Sequence, residues 1–122
     1  MQRSEIIVIG GGMAGCAAAL AAARGGREAL LIERCGYPGG WATAALVNPF
    51  MSHKTSDGKP LIGGLYDEIR ARLNGRGGLL GNSFNPEDMK FVLQEMLLEA
   101  GVRLRLHTAF DAAEYADDGT IV

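Results

Sequence analysis

The amino-acid sequence predicts an α/β domain in which three central strands form a parallel sheet. The first observation is a β-branched, continuously apolar run at 5–9, typical of a parallel strand buried on both faces. The second is a glycine-rich turn directly after it, followed by an alanine- and leucine-rich helix over 13–24. The third is another apolar strand over 28–33. Together they fit within about 30 residues, the usual length of a right-handed strand–helix–strand crossover.

The segment 34–85 has no dominant periodic pattern and is too long for an ordinary connection between elements. We therefore predict that it is an inserted excursion, which contains one short helix over 64–73. A second helix begins after Asn85, because an N-cap residue is followed by proline and then by two acidic residues. Its apolar face continues to Ala100, and Gly101 ends it.

The C-terminal residues predict the start of a layer of β-hairpins. Alternating residues over 102–107 indicate a half-exposed strand near the edge of the sheet. A hairpin is predicted at the end of the chain, with its first arm over 112–115, its turn over 117–119 and the beginning of its second arm over 120–122. The chain stops inside that arm, so we expect the domain over 1–122 to be incomplete, as a fragment or a natural truncation.

Composition and charge argue against several classes of protein. The chain has 122 residues, enough for one small domain, with 14 acidic and 12 basic residues and a net charge of −2. We expect no nucleic-acid partner, because no basic stripe is present to neutralise phosphates. We also expect no metal site, because the two cysteines, Cys16 and Cys35, lack the spacing of metal ligands.

An uncharged stretch over 6–23 raises the alternative of a transmembrane helix or an export signal. Three consecutive glycines interrupt it, and each costs about 1 kcal/mol relative to alanine inside a helix. A strand followed by a separate helix is therefore the better interpretation. We expect no membrane association and a cytoplasmic protein.

The glycine turn has the pattern of a dinucleotide-binding site. Gly10, Gly12 and Gly15 fill the three positions of G-x-G-x-x-G between a buried strand and a helix, which is the context that this motif requires. The first glycine permits the tight turn, the second lets a pyrophosphate approach the backbone, and the third lets the helix pack close to the strand. The free N–H groups and the positive dipole end of the helix favour phosphate there.

Glu33 is the predicted partner of a ribose. It ends the second strand, close to the expected spacing of about 20 residues after the glycine turn. A carboxylate at this position accepts hydrogen bonds from both ribose hydroxyls and repels a 2′-phosphate. A mononucleotide P-loop is excluded, because no Lys-Ser/Thr pair follows the glycines.

Three segments together resemble the FAD-dependent oxidoreductases of the glutathione-reductase and fumarate-reductase fold type. They are Ile-Val-Ile-Gly-Gly-Gly-Met-Ala-Gly at 7–15, Leu-Leu-Ile-Glu-Arg at 30–34 and Gly-Gly-Trp-Ala-Thr at 39–43. The helix and strand over 85–108 also look like those that precede the hairpin layer of such proteins. The resemblance covers nearly the whole chain and implies a Rossmann-like FAD-binding domain, whose excursion over 34–85 carries a flavin-facing loop.

The resemblance also implies a role for each matching residue. The pyrophosphate would contact the glycine turn, the adenosine would contact the end of the second strand, and the flavin ring would pass the second glycine pair. The residues implied are Gly10, Gly12, Met13, Ala14 and Gly15 for the pyrophosphate, Glu33 and Arg34 for the adenosine, Gly40, Trp41, Ala42 and Thr43 for the pyrophosphate and flavin, and backbone near Ala109 for the adenine.

Chemistry beyond the cofactor is not specified by the sequence. The segment around Trp41 has no histidine for a covalent flavin link, so we expect non-covalent FAD and a small-molecule substrate of unknown identity. His53 is expected to be a solvated loop residue and His107 a strand-end residue, and no catalytic acid or base is assigned. Two alternatives stay open: an NAD-binding dehydrogenase domain, and a non-catalytic module that dimerises through an exposed strand edge.

Overall fold

A computed structural model describes residues 4–119 and 121. These residues form three α-helices and five strands, with one short 3₁₀ helix in the excursion. In chain order they are β1 (Ile6–Ile9), α1 (Met13–Arg24), β2 (Ala29–Ile32), the 3₁₀ helix (Gly40–Ala42), α2 (Leu65–Gly75), β3 (Leu79–Leu80), β4 (Ser83–Phe84), α3 (Pro86–Glu99) and β5 (Arg103–Arg105).

The main sheet is parallel and has the strand order β1-β2-β5. Strand β2 is central and carries fully buried Leu31, whereas β5 forms one edge, as its alternating pattern predicts. The prediction that the first strand is buried on both faces is wrong for the described residues. Strand β1 pairs on one side with β2, and the side chains of Ile7 and Ile9 are 49% and 46% exposed. Continuous apolar character therefore marked a parallel strand but not its position in the sheet.

The core lies between the sheet and helices α1 and α3, which also contact each other. Alanine makes this close packing possible: Ala19 is fully buried beside Leu20 on α1, where larger side chains would hold the helix away from the sheet. Helix α3 contributes the largest share of the buried side chains, through Met89, Val92, Leu93, Met96 and Leu97. Helix α1 begins at Met13, directly after the turn that follows β1.

Helix α2 packs on α3, and the small antiparallel pair β3–β4 of the excursion contacts α2. The helix agrees with the prediction over 64–73, but the β3–β4 pair was not predicted, because two-residue strands leave no periodic pattern. Exposed ion pairs connect the three helices: Glu68 on α2 accepts from Arg24 at 2.7 Å and from Arg72 at 3.1 Å, and Arg72 also donates to Glu99 at 2.6 Å. Each such exposed pair contributes little by itself.

Two further predictions concern the ends of the chain. Residues 6–23 form a strand and a separate helix, and within the described residues no helix is long and apolar enough to cross a membrane. The predicted C-terminal hairpin is represented by a single antiparallel bridge between Tyr115 and Ile121, around a turn at 117–119. Residues 120 and 122, which belong to its predicted second arm, lie outside the described residues.

The N-cap of α3 provides a test of this fold. The side chain of Asn85 accepts a hydrogen bond from the backbone N–H of Glu87 at 2.9 Å. Replacing it by alanine leaves that N–H without its acceptor, so Asn85→Ala should lower the free energy of unfolding by about 1 kcal/mol. Urea denaturation measures the difference. Asn85→Asp keeps the acceptor and should retain most of the stability; equal losses in both variants would contradict the capping role.

Candidate active site

The turn between β1 and α1 leaves the N-terminal end of the helix open to a ligand. Gly10 has a φ of +93°, a left-handed conformation that favours glycine, and its N–H donates to the carbonyl of Ile32 at 2.8 Å. No side chain caps α1, and its first turn has no acidic residue. The first backbone N–H groups of the helix therefore have no partner within the helix, which is the arrangement that binds anions.

Gly12 and Gly15 differ sharply in the space around them. A Cβ added at Gly15 would lie 1.8 Å from the carbonyl oxygen of Gly10, so the third glycine of the motif is required by the close contact of helix and turn. A Cβ added at Gly12 would meet no protein atom within 4 Å. Gly12 is thus not needed by the protein's own packing, and the open space beside it is where the motif places a pyrophosphate.

The second glycine pair lies directly against the first turn. The N–H of Gly39 donates to the carbonyl of Gly11 at 2.7 Å, and Gly12 and Gly39 form a parallel bridge. A Cβ added at Gly40 would lie 3.0 Å from the Cα of Gly12. The structure therefore brings the segment 39–40, separated in sequence, to the edge of the same open space.

Glu33 is turned toward the glycine turn and is held there by two backbone donors. Its Oε2 accepts from the N–H of Gly11 at 2.6 Å, and its Oε1 accepts from the N–H of Cys35 at 2.8 Å. Burial by itself raises the pKa of the carboxyl, but the hydrogen bonds from Cys35 and Gly11 outweigh it and hold the pKa of Glu33 below its ordinary value. The side chain is ionised at neutral pH and is 8% exposed.

A cavity of about 320 Å³ lies at the carboxyl ends of the three parallel strands. Its shape depends on a crossing of two loops, since the N–H of Thr108 donates to the carbonyl of Glu33 at 3.0 Å and the N–H of His107 donates to that of Cys35 at 3.1 Å. In open α/β sheets this end of the strands is where ligands bind. The cavity is lined by Ile9, Gly10, Ile32, Glu33, Arg34, Thr108, Ala109 and Phe110.

The remaining predicted residues are divided between surface and core. Ala14 lies exposed on the first turn of α1, beside Met13, and Trp41 is 77% exposed. The side chains of Ala42 and Thr43 are buried, and the Thr43 hydroxyl donates to the carbonyl of Pro38 at 2.9 Å. A cofactor at this segment would therefore meet the backbone of residues 42–43 and not their side chains.

Sequence reasoning missed several residues of this site. The hydrogen bond from the Gly11 N–H to Glu33 was not predicted, and neither was the place of Thr108 and Phe110 in the cavity lining. The expectation that His53 is a solvated loop residue is wrong, because its imidazole is half-buried and packs on Tyr66 at a centroid distance of 5.7 Å. His107 lies in the loop after β5, in a left-handed conformation with a φ of +52°. Only the position of 108–110 directly after a parallel strand was a signal available in the sequence.

Comparison with known proteins identifies the family. The family model described as FAD dependent oxidoreductase matches residues 5–122. The chain belongs to the FAD-dependent oxidoreductase family. A search of curated protein sequences found no match. The family assignment decides against the NAD-binding dehydrogenase alternative.

Solved structures share the fold of this FAD-dependent oxidoreductase chain. THI4 of Thermovibrio ammonificans is 17% identical, with a TM-score of 0.56 over 97% of this chain and 44% of that protein. The L-amino acid deaminase of Proteus myxofaciens is 18% identical, with a TM-score of 0.62 over 99% and 42%. The flavin-dependent monooxygenase PieE is 21% identical, with a TM-score of 0.52 over 95% and 26%. The chain spans less than half the length of each.

We predict opposite responses to alanine at two glycines of this FAD-dependent oxidoreductase motif. Gly15→Ala places a methyl group against the Gly10 carbonyl and should lower the free energy of unfolding by at least about 3 kcal/mol. Gly12→Ala enters open space at a φ of −65° that alanine adopts freely, so its stability should stay within about 1 kcal/mol of the parent. Urea denaturation without added cofactor measures both. Equal stability of Gly15→Ala and the parent would contradict the close contact.

The two cysteines should differ in reactivity. Burial raises the pKa of the Cys16 thiol to about 12, and this thiol donates to the carbonyl of Gly11 at 3.2 Å. Iodoacetamide at mildly alkaline pH should therefore label the half-exposed Cys35 and spare Cys16 in the folded protein. Mass spectrometry of the digested protein gives the labelled position. In urea both thiols should react, and rapid native labelling of Cys16 would contradict its burial.

Proposed function

We propose that this chain binds FAD non-covalently, with the pyrophosphate at the N-terminal end of α1 beside Gly12 and the adenosine in the cavity at the strand ends. One observation carries the proposal: an open helix end and an ionised carboxylate are held together, since Glu33 Oε2 lies 2.6 Å from the N–H of Gly11. The two groups that a dinucleotide requires are thus adjacent in the folded chain.

The pyrophosphate position is supported by backbone donors and by the absence of side chains. The dipole of α1 and the N–H groups of its first turn attract a negative charge at Gly12, while the neighbouring Gly40 lets the second segment approach. Met13 and Ala14 would add main-chain contacts there. A side chain at position 12 would occupy the space that the phosphate oxygens need.

The adenosine position is supported by the free acceptor capacity of Glu33. An ionised carboxylate has about four lone-pair sites, and backbone N–H groups use two of them. The remaining sites can accept the two ribose hydroxyls. Arg34 and Ala109 line the same cavity, where the exposed guanidinium and the backbone would face the adenine end of the cofactor.

FAD supplies the redox chemistry when bound, by accepting and returning electrons at its ring. The residues of this chain would bind and orient it, and the exposed Trp41 after the second glycine pair would lie toward the flavin. We further propose that the complete enzyme acts on a small molecule, as L-amino acid deaminase and PieE do.

The two free cysteines agree with a cytoplasmic location, where thiols stay reduced.

Titration with FAD, followed by quenching of flavin fluorescence, tests the cofactor site. Gly12→Ala and Glu33→Gln should each weaken FAD binding by roughly 10- to 100-fold, because each removes or blocks a charge-assisted contact. Gly75→Ala and Glu28→Gln are matched controls. Gly75 also faces open space, and the exposed Glu28 directly precedes the N-terminal end of β2, opposite the end that carries Glu33. Both controls should bind FAD as the parent does.

Two outcomes would contradict the proposal. The first is unchanged FAD affinity in Gly12→Ala while its stability is also unchanged, which would place the pyrophosphate elsewhere. The second is tight binding of NAD with none of FAD. A yellow chromophore that copurifies with the parent protein, and in a smaller amount with Glu33→Gln, would support the adenosine position directly.

A further inference from the structure

A second cavity, of about 460 Å³, lies in the excursion and shares no lining residue with the cavity at the strand ends. We call it the loop cavity. The chain from Phe50 to Ser56 forms most of its wall, and Asn82 closes it. The two segments are joined, because the N–H of Phe50 donates to the carbonyl of Asn82 at 2.7 Å.

The side chains of the loop cavity are rich in hydrogen-bond donors and include no carboxylate. Ser52, Ser56 and Asn82 supply hydroxyl and amide donors, and Lys54 supplies a full positive charge. Within residues 4–119 and 121, Lys54 forms no ion pair. The acid closest in sequence, Asp57, accepts from the Thr55 hydroxyl and pairs with Lys59 at 3.3 Å. The cavity therefore has a charge and donor set that suits an anion.

His53 adds a donor whose orientation is set by packing. Its ring lies against Tyr66, and its carbonyl accepts from the N–H of Leu61 at 2.9 Å. Nδ1 is the one buried side-chain nitrogen or oxygen without a partner among the described residues. His53 lines the cavity, so its imidazole can offer a ring nitrogen to a ligand there.

The rest of the cavity wall is apolar, with a cation behind it. Met51 is 76% exposed and Phe50 is half-buried, and both line the cavity. The Arg70 guanidinium lies 5.6 Å from the centre of the Phe50 ring and donates to the carbonyl of Gly81 at 3.3 Å, next to Asn82. Its positive charge adds to the electrostatic attraction for an anion near Phe50 and Asn82.

We propose that the loop cavity binds a small organic acid, whose carboxylate contacts Lys54 and the imidazole of His53 and whose apolar body covers Met51. The proposal is independent of the cofactor site, because no residue contributes to both cavities. Benzoate is a suitable probe, since it joins a carboxylate to a flat apolar ring. Benzyl alcohol has the same ring without the charge.

Isothermal titration of the protein with benzoate, without added cofactor, tests the charge requirement. Lys54→Gln should weaken benzoate binding by roughly threefold to fivefold, the upper part of the range for one exposed charge contact. Lys59→Gln is the matched control: it removes the same charge from the same loop, but Lys59 is paired with Asp57 and does not line the cavity. It should change binding by less than about twofold. Benzyl alcohol should bind at least about tenfold more weakly than benzoate.

Proton NMR locates the ligand, because the chain has 2 histidines, His53 and His107. Benzoate should shift the ring signals of His53 and leave those of His107 unchanged. Three results would overturn the proposal: no benzoate binding at millimolar concentration, equal losses in Lys54→Gln and Lys59→Gln, or equal affinity for benzyl alcohol. Neither lysine variant removes a buried contact, so both should fold.

Discussion

The hydrogen bond from the Gly11 N–H to the Glu33 carboxylate is the contact on which the candidate cofactor site depends. It joins the turn after β1 to the end of β2, at 2.6 Å, and so fixes an anionic acceptor beside a helix end that attracts anions. Because the second N–H, from Cys35, holds the other carboxylate oxygen, the ionised form is favoured despite its burial. The energetic cost of burying the Glu33 charge is thus offset by the hydrogen bonds from the backbone N–H groups of Gly11 and Cys35.

Small residues allow the backbone segments to meet. Gly15 lets α1 sit on the Gly10 carbonyl, Ala19 lets the same helix press on the sheet, and Gly40 lets the second glycine segment reach Gly12. Each of these contacts would be blocked by a Cβ or a longer side chain. Gly12 is different, because protein packing leaves its surroundings open. The open space at Gly12 is the basis of the proposed pyrophosphate position.

Much of the fold could be predicted from local patterns, and the failures have a common cause. Helices α1 and α3 were predicted nearly to their observed bounds, since caps and periodicity are local properties. The exposure of Ile7 and Ile9, the two-residue strands of the excursion and the partial burial of His53 were not predictable. Each is decided by which distant segment packs against the residue, and no pattern of neighbours in the chain encodes that.

The sequence by itself determined the strand–turn–helix unit, the three glycines of its motif and the acidic residue at the end of the second strand, because steric limits and helix-end electrostatics act over a few residues. Only the tertiary structure decided that Glu33 binds the Gly11 N–H, that residues 39–40 lie against Gly12, and that the loops after β2 and β5 cross to form the cavity at the strand ends. Those contacts join segments far apart in the chain, and their geometry is set by the packing of the sheet and helices between them.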